Sequence, residues 1–110
     1  MTVYFDTSAL VKLYLREKGT DRARRLFRRA DIVGAAGILQ PEMNAALAKA
    51  VRAEVVSEKE AAQSRTLFRE DWTDFAELSM TSTILNRASD AAWSHGLRGY
   101  DAVHLAAALA

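Results

Sequence analysis

Apolar and polar residues change rhythm along this chain in a repeating order. Thr2-Val3-Tyr4-Phe5 is a short run of aromatic and β-branched residues that reads as a buried strand. It runs into Asp6-Thr7-Ser8 and then a helix with Leu10, Leu13 and Tyr14 on one face, with Ser8 or Thr7 available to cap it. After the break at Lys18-Gly19-Thr20, Ala23, Leu26, Phe27 and Ala30 recur at helical spacing, with Thr20 or Asp21 as the cap. Asp31 to Ala36 reads as a second strand. Pro41 suits the first turn of the next helix, whose apolar stripe is Met43, Ala46, Leu47, Ala50 and Val51. Ser57 and Glu60 form a capping-box pattern, opening a helix towards Trp72 that buries Ala61, Ser64, Leu67 or Phe68. Phe75 to Leu78 alternates as a third strand. Thr81 starts a helix with Ile84, Leu85, Ala88, Ala91 and Ala92 inward, ended by Gly96, and a last helix starts near Asp101.

Strands separated by one or two helices require crossover connections, hence a parallel sheet in an α/β sandwich. The 110 residues suit one domain, with half of them hydrophobic. Cysteine is absent, which removes disulfides, thiolate metal sites and cysteine nucleophiles and permits a cytoplasmic location. No apolar run approaches the roughly 18 residues of a membrane span, and Met1 leads directly into the first strand rather than into a signal peptide. The net charge of +1 hides an asymmetry: residues 1–55 carry ten Lys/Arg against six Asp/Glu, and residues 56–110 five against eight. The excess gathers at Arg22, Arg24, Arg25, Arg28 and Arg29, which is either the solvated face of a helix or a surface that holds phosphates. The final stretch, Ala102 to Ala110, has no charge and no helix-ending residue, and reads as a fold missing its last piece.

Three acids share one kind of position. Asp6 follows a strand, and Glu42 and Asp101 lie at helix starts, where exposed N–H groups and the helix dipole stabilise negative charge. Each is either a simple helix-start acid or part of a site at the carboxyl edge of the sheet, where ligands bind in open α/β folds. If the three meet, an all-oxygen set suits Mg²⁺ or Mn²⁺, and the reaction class is phosphodiester hydrolysis. His104, one helical turn after Asp101, is either a packing residue or a hydrogen-bonding neighbour of the site. His95 at a helix end is structural. A phosphatase with Asp6 as covalent nucleophile is disfavoured, because Ser8 stands where a second acid is wanted.

Val-Tyr-Phe-Asp-Thr-Ser-Ala-Leu-Val-Lys-Leu-Tyr at 3–14, Pro-Glu-Met-Asn-Ala-Ala-Leu at 41–47 and Gly-Leu-Arg-Gly-Tyr-Asp-Ala-Val-His-Leu-Ala-Ala-Ala-Leu at 96–109 resemble the PIN-domain ribonucleases, in particular VapC-type toxins of toxin–antitoxin pairs. The resemblance implies a three-layer α/β/α sandwich with a short parallel sheet. It implies Mg²⁺ or Mn²⁺ held by Asp6, Glu42 and Asp101 beside Ser8, RNA as substrate, a small antitoxin as partner, a homodimer and a cytoplasmic location. The family's fourth acid lies on a strand after the Asp101 helix, beyond residue 110, so the resemblance implies a C-terminally incomplete domain over 1–110. The alternative it leaves open is a truncated or degenerate PIN domain that binds a partner without cleaving RNA.

Overall fold

The computed structural model describes residues 1–109, and of Tyr100 the backbone alone. Its elements run β1 (Thr2–Tyr4), α1 (Thr7–Val11), α2 (Thr20–Arg29), β2 (Ile32–Ala36), α3 (Leu39–Arg52), α4 (Glu58–Trp72), β3 (Ala76–Leu78), α5 (Ser82–His95) and α6 (Gly99–Ala108). The three strands pair in parallel in the order β1-β2-β3. Val3 stands opposite Val33, and Ala35 opposite Glu77. Among the described residues β1 therefore has a strand partner on one side only. No helix among them is long and apolar enough to cross a membrane.

The central strand explains the layering. In β2, Val33 and Ala35 join a cluster with Phe5, Leu10, Leu39, Met43, Leu47, Phe68 and Phe75. Ala36, on the opposite face, joins Ile84, Ala88, Ala102, Val103, Ala106 and Ala107 from α5 and α6. A strand covered by helices on both faces reads as a continuous apolar run because neither face meets water, and Val33 to Ala36 are all buried. The result is the expected three-layer α/β/α arrangement. The small side chains of α6 let it approach β2 closely, whereas the other face is filled by large ones. There Tyr14, Phe68, Trp72, Phe75, Phe27 and Phe5 form a chain of edge-on and tilted ring pairs, with centroids 5.5–6.3 Å apart.

Gly34 shares the α5–α6 face of β2 with Ala36 and lies against the ring of Tyr4. A Cβ there would stand 2.8 Å from Tyr4 Cδ2. Gly34→Ala is expected to force that ring aside and destabilise the domain by about 1–3 kcal/mol, the usual range for overpacking, as measured by urea denaturation.

Several helix ends follow local chemistry. Ser57 and Glu60 form the full capping box, with bonds of 3.1 and 3.2 Å. Thr81 caps α5, and Gly96 ends it with φ of 64°. Four expectations need correction. The cap of α1 is Asp6 rather than Thr7 or Ser8. That helix stops at Val11, and Leu13 and Tyr14 continue as turns. Tyr14 is tied to α4 instead: its hydroxyl donates to Asp71 at 2.7 Å and its carbonyl accepts from Ser64 at 3.0 Å. Burial, and then the Asp71 carboxylate, hold the Tyr14 hydroxyl well above the usual phenol range. The cap position of α2 belongs to Gly19 at φ 91°, a left-handed conformation suited to glycine. Thr20 is buried instead and accepts the backbone N–H of Glu17 at 2.9 Å. Leu26 and Leu85 remain 41% and 44% exposed rather than inward.

Candidate functional site

β1 ends at Tyr4, and the chain turns at Asp6 into α1. The Asp6 Oδ1 accepts the Ala9 backbone N–H at 2.9 Å and the Ser8 hydroxyl at 3.1 Å, so this acid is a genuine helix cap. Glu42 enters from the first turn of α3, which follows the carboxyl end of β2. Asp101 enters from the first turn of α6, a helix that begins at Gly99 rather than at Asp101. The three acids line one cleft of about 450 Å³, together with Ser8, Lys49, Arg98 and His104. A second hollow of about 380 Å³ shares Asp6, Asp101 and His104 and runs along Tyr4 and Leu105. Burial raises the Tyr4 hydroxyl to about 12. The five arginines of α2 are exposed and do not line the cleft; its cations are Lys49 and Arg98.

Glu42 is the most constrained of the acids. Its Oε1 accepts the Thr7 hydroxyl at 2.8 Å and lies 2.7 Å from His104 Nε2. The His104 ring is buried, and its Nε2 is also 3.3 Å from the Thr7 hydroxyl. Both readings of His104 hold: the ring is buried as a packing residue and also hydrogen-bonds Glu42. Thr7 escaped notice as a site residue because a hydroxyl after a strand reads first as a helix cap. The available signal was Asp6, an equally good cap that frees Thr7 for other work. Asp101 Oδ2 accepts from Arg98 Nε at 3.2 Å, with the Arg98 side chain largely in solvent and that of Asp101 44% exposed. An exposed pair of this kind is worth about 0.2–1 kcal/mol, so it opens at little cost.

Each acid thus has a neighbour of its own. Among the described residues, no three His, Asp or Glu side chains form a group that could hold a metal ion in this arrangement. The donor set nevertheless has the right chemistry for a hard cation. Three carboxylates from three elements share one cleft, and Arg98 holds Asp101 only weakly.

The PIN domain profile matches residues 3–110. The chain belongs to the PIN-domain family. This PIN domain is 40% identical over 108 residues to Ribonuclease VapC45 and to Ribonuclease VapC49, from two strains of Mycobacterium tuberculosis. The alignments cover 98% of this chain and 75% of each relative. Its fold is similar to the crystal structure of Mycobacterium tuberculosis VapC20, described as a sarcin–ricin loop cleaving toxin. The TM-score is 0.70, covering 94% of this chain and 78% of that one. At 16% identity that likeness bears on the fold alone. The parallel sheet between helix layers, expected from the sequence, is the PIN fold.

Proposed function

We propose that this PIN domain is a divalent-metal-dependent endoribonuclease of the VapC toxin kind, hydrolysing RNA phosphodiester bonds in the cleft of Asp6, Glu42 and Asp101. One observation carries the reading: three acids from three separate elements line a single cleft at the carboxyl edge of a parallel sheet. Two relatives at 40% identity are named ribonucleases, which weighs against a domain that binds without cleaving.

Electrostatics supports the metal requirement. Asp6, Glu42 and Asp101 share the cleft with Lys49 and Arg98. Counting the imidazole as neutral, three negative charges against two positive leave a net −1, which repels a phosphodiester. One divalent cation reverses the sign. Asp6, Glu42 and Asp101 are the residues that would hold Mg²⁺ or Mn²⁺, with the Ser8 hydroxyl beside Asp6. When bound, such an ion polarises a phosphoryl oxygen and lowers the pKa of water. Lys49 and Arg98 draw the RNA backbone to the cleft and orient it.

Cleavage of an RNA oligonucleotide by the purified protein should stop on chelation with EDTA and return with Mn²⁺ or Mg²⁺. Cleavage that persists in EDTA would overturn the reading. The same family membership supports a small antitoxin as partner, a homodimer and a cytoplasmic location; light scattering tests the dimer.

A further inference from the structure

We propose that Thr7 and His104 are positioning residues that clamp Glu42, and through it set the three acid-bearing helices of the cleft relative to one another; this rests on the nuclease reading above. Both donors converge on one atom, Glu42 Oε1, at 2.8 Å from Thr7 Oγ1 and 2.7 Å from His104 Nε2. A carboxylate oxygen only accepts, and the Thr7 hydroxyl spends its single hydrogen on it. Chemistry therefore assigns the ring hydrogen to Nε2. His104 Nδ1 is buried and, among the described residues, has no hydrogen-bond partner. An apolar ring would fill the same space without that orphaned nitrogen. What the imidazole adds is the donor to Glu42.

The clamp spans all three elements. Thr7 is the neighbour of Asp6 on α1, Glu42 is on α3, and His104 lies one turn beyond Asp101 on α6. With the His104 side chain 8% exposed and that of Glu42 21% exposed, water competes little for these bonds. Since both donors take Oε1, Oε2 is left as the Glu42 oxygen without a protein hydrogen bond among the described residues. Hydrogen-bond partners of a metal-binding carboxylate fix its orientation, and losing one typically costs about 10–100-fold in metal affinity or activity.

The test compares isosteric and conservative variants on the full chain. Thr7→Val removes the hydroxyl while keeping the shape, and Thr7→Ser keeps the hydroxyl. His104→Leu removes the ring donor, and His104→Gln retains an N–H. For each, kcat and KM on an RNA oligonucleotide are measured with Mn²⁺, alongside Mn²⁺ affinity by calorimetry and a thermal melt. Thr7→Val should lower kcat and Mn²⁺ affinity by about 10–100-fold, with KM little changed. Thr7→Ser should stay near wild type, and His104→Gln should recover part of what His104→Leu loses. The thermal melts show which variants are folded, and the Thr7 pair decides the question even if His104→Leu does not fold. Wild-type kcat and Mn²⁺ affinity in Thr7→Val, or equal losses in Thr7→Val and Thr7→Ser, would overturn the clamp. With Asp6→Asn inactive in the same assay, that failure is the clamp's alone. An Asp6→Asn that still cleaves would overturn the nuclease site and the clamp with it.

Discussion

Asp6→Asn is expected to lower RNA cleavage by about 10³-fold, equivalent to about 4 kcal/mol of lost transition-state stabilisation, while barely changing stability. Asp6 does two jobs that this substitution separates. As a cap, it accepts the Ala9 N–H at 2.9 Å, and its backbone carbonyl accepts the Leu10 N–H at 3.0 Å. Asparagine caps about as well as aspartate, so the helix keeps its start; alanine would add a capping loss of about 0.5–2 kcal/mol. As a cleft acid in the proposed site, Asp6 would contribute a full negative charge towards a divalent ion, and asparagine would not. Initial rates on labelled RNA at saturating Mn²⁺, with melts of the same proteins, distinguish the roles. An Asp6→Asn protein that cleaves within about tenfold of wild type, a difference of about 1.4 kcal/mol, would reduce Asp6 to a helix cap.

Much of this was legible in the chain because the signals are local. The Ser57–Glu60 box and the Thr81 cap join residues three apart, and Gly96 ends a helix within one turn. The continuous burial of Val33 to Ala36 in β2 follows from its uninterrupted apolar run. The misses came where distant partners decide. α1 stops at Val11 and Tyr14 turns towards α4, because Tyr14 bonds Asp71 and Ser64, which lie 57 and 50 positions away. Leu26 and Leu85 lie at helical spacing with buried neighbours, yet the period gives the direction of a face and not how wide its covering element is. Asp6, Glu42 and Asp101 could be marked as acids at element mouths. That they line one cleft depends on the crossovers. That Thr7 and His104 meet on Glu42, 35 and 62 positions away, depends on the crossovers in the same way.

Packing beneath the site carries the other large expected effect. Leu10→Ala should destabilise the domain by about 2–5 kcal/mol, the range for truncating a buried leucine. α1 has only five residues, far too few to hold as a helix on their own. Its one buried residue is Leu10, fully enclosed with Phe5, Leu39, Met43 and others of the large-residue cluster. That side chain pins α1 to α3, and α1 carries Asp6, Thr7 and Ser8. A small domain commonly has about 5–15 kcal/mol of total stability, so the urea midpoint should fall by a substantial fraction at unchanged slope. Cleavage measured well below the melting temperature should also fall, because the Thr7 bond to Glu42 loosens with its helix. Leu67→Ala is the control. Leu67 is 49% exposed on α4, so the same truncation there should cost about 0.5 kcal/mol or less and leave cleavage intact. If Leu10→Ala instead unfolds at the same urea concentration as Leu67→Ala, α1 is held by its hydrogen bonds to the cleft rather than by the core, and the dependence of the site on packing is wrong.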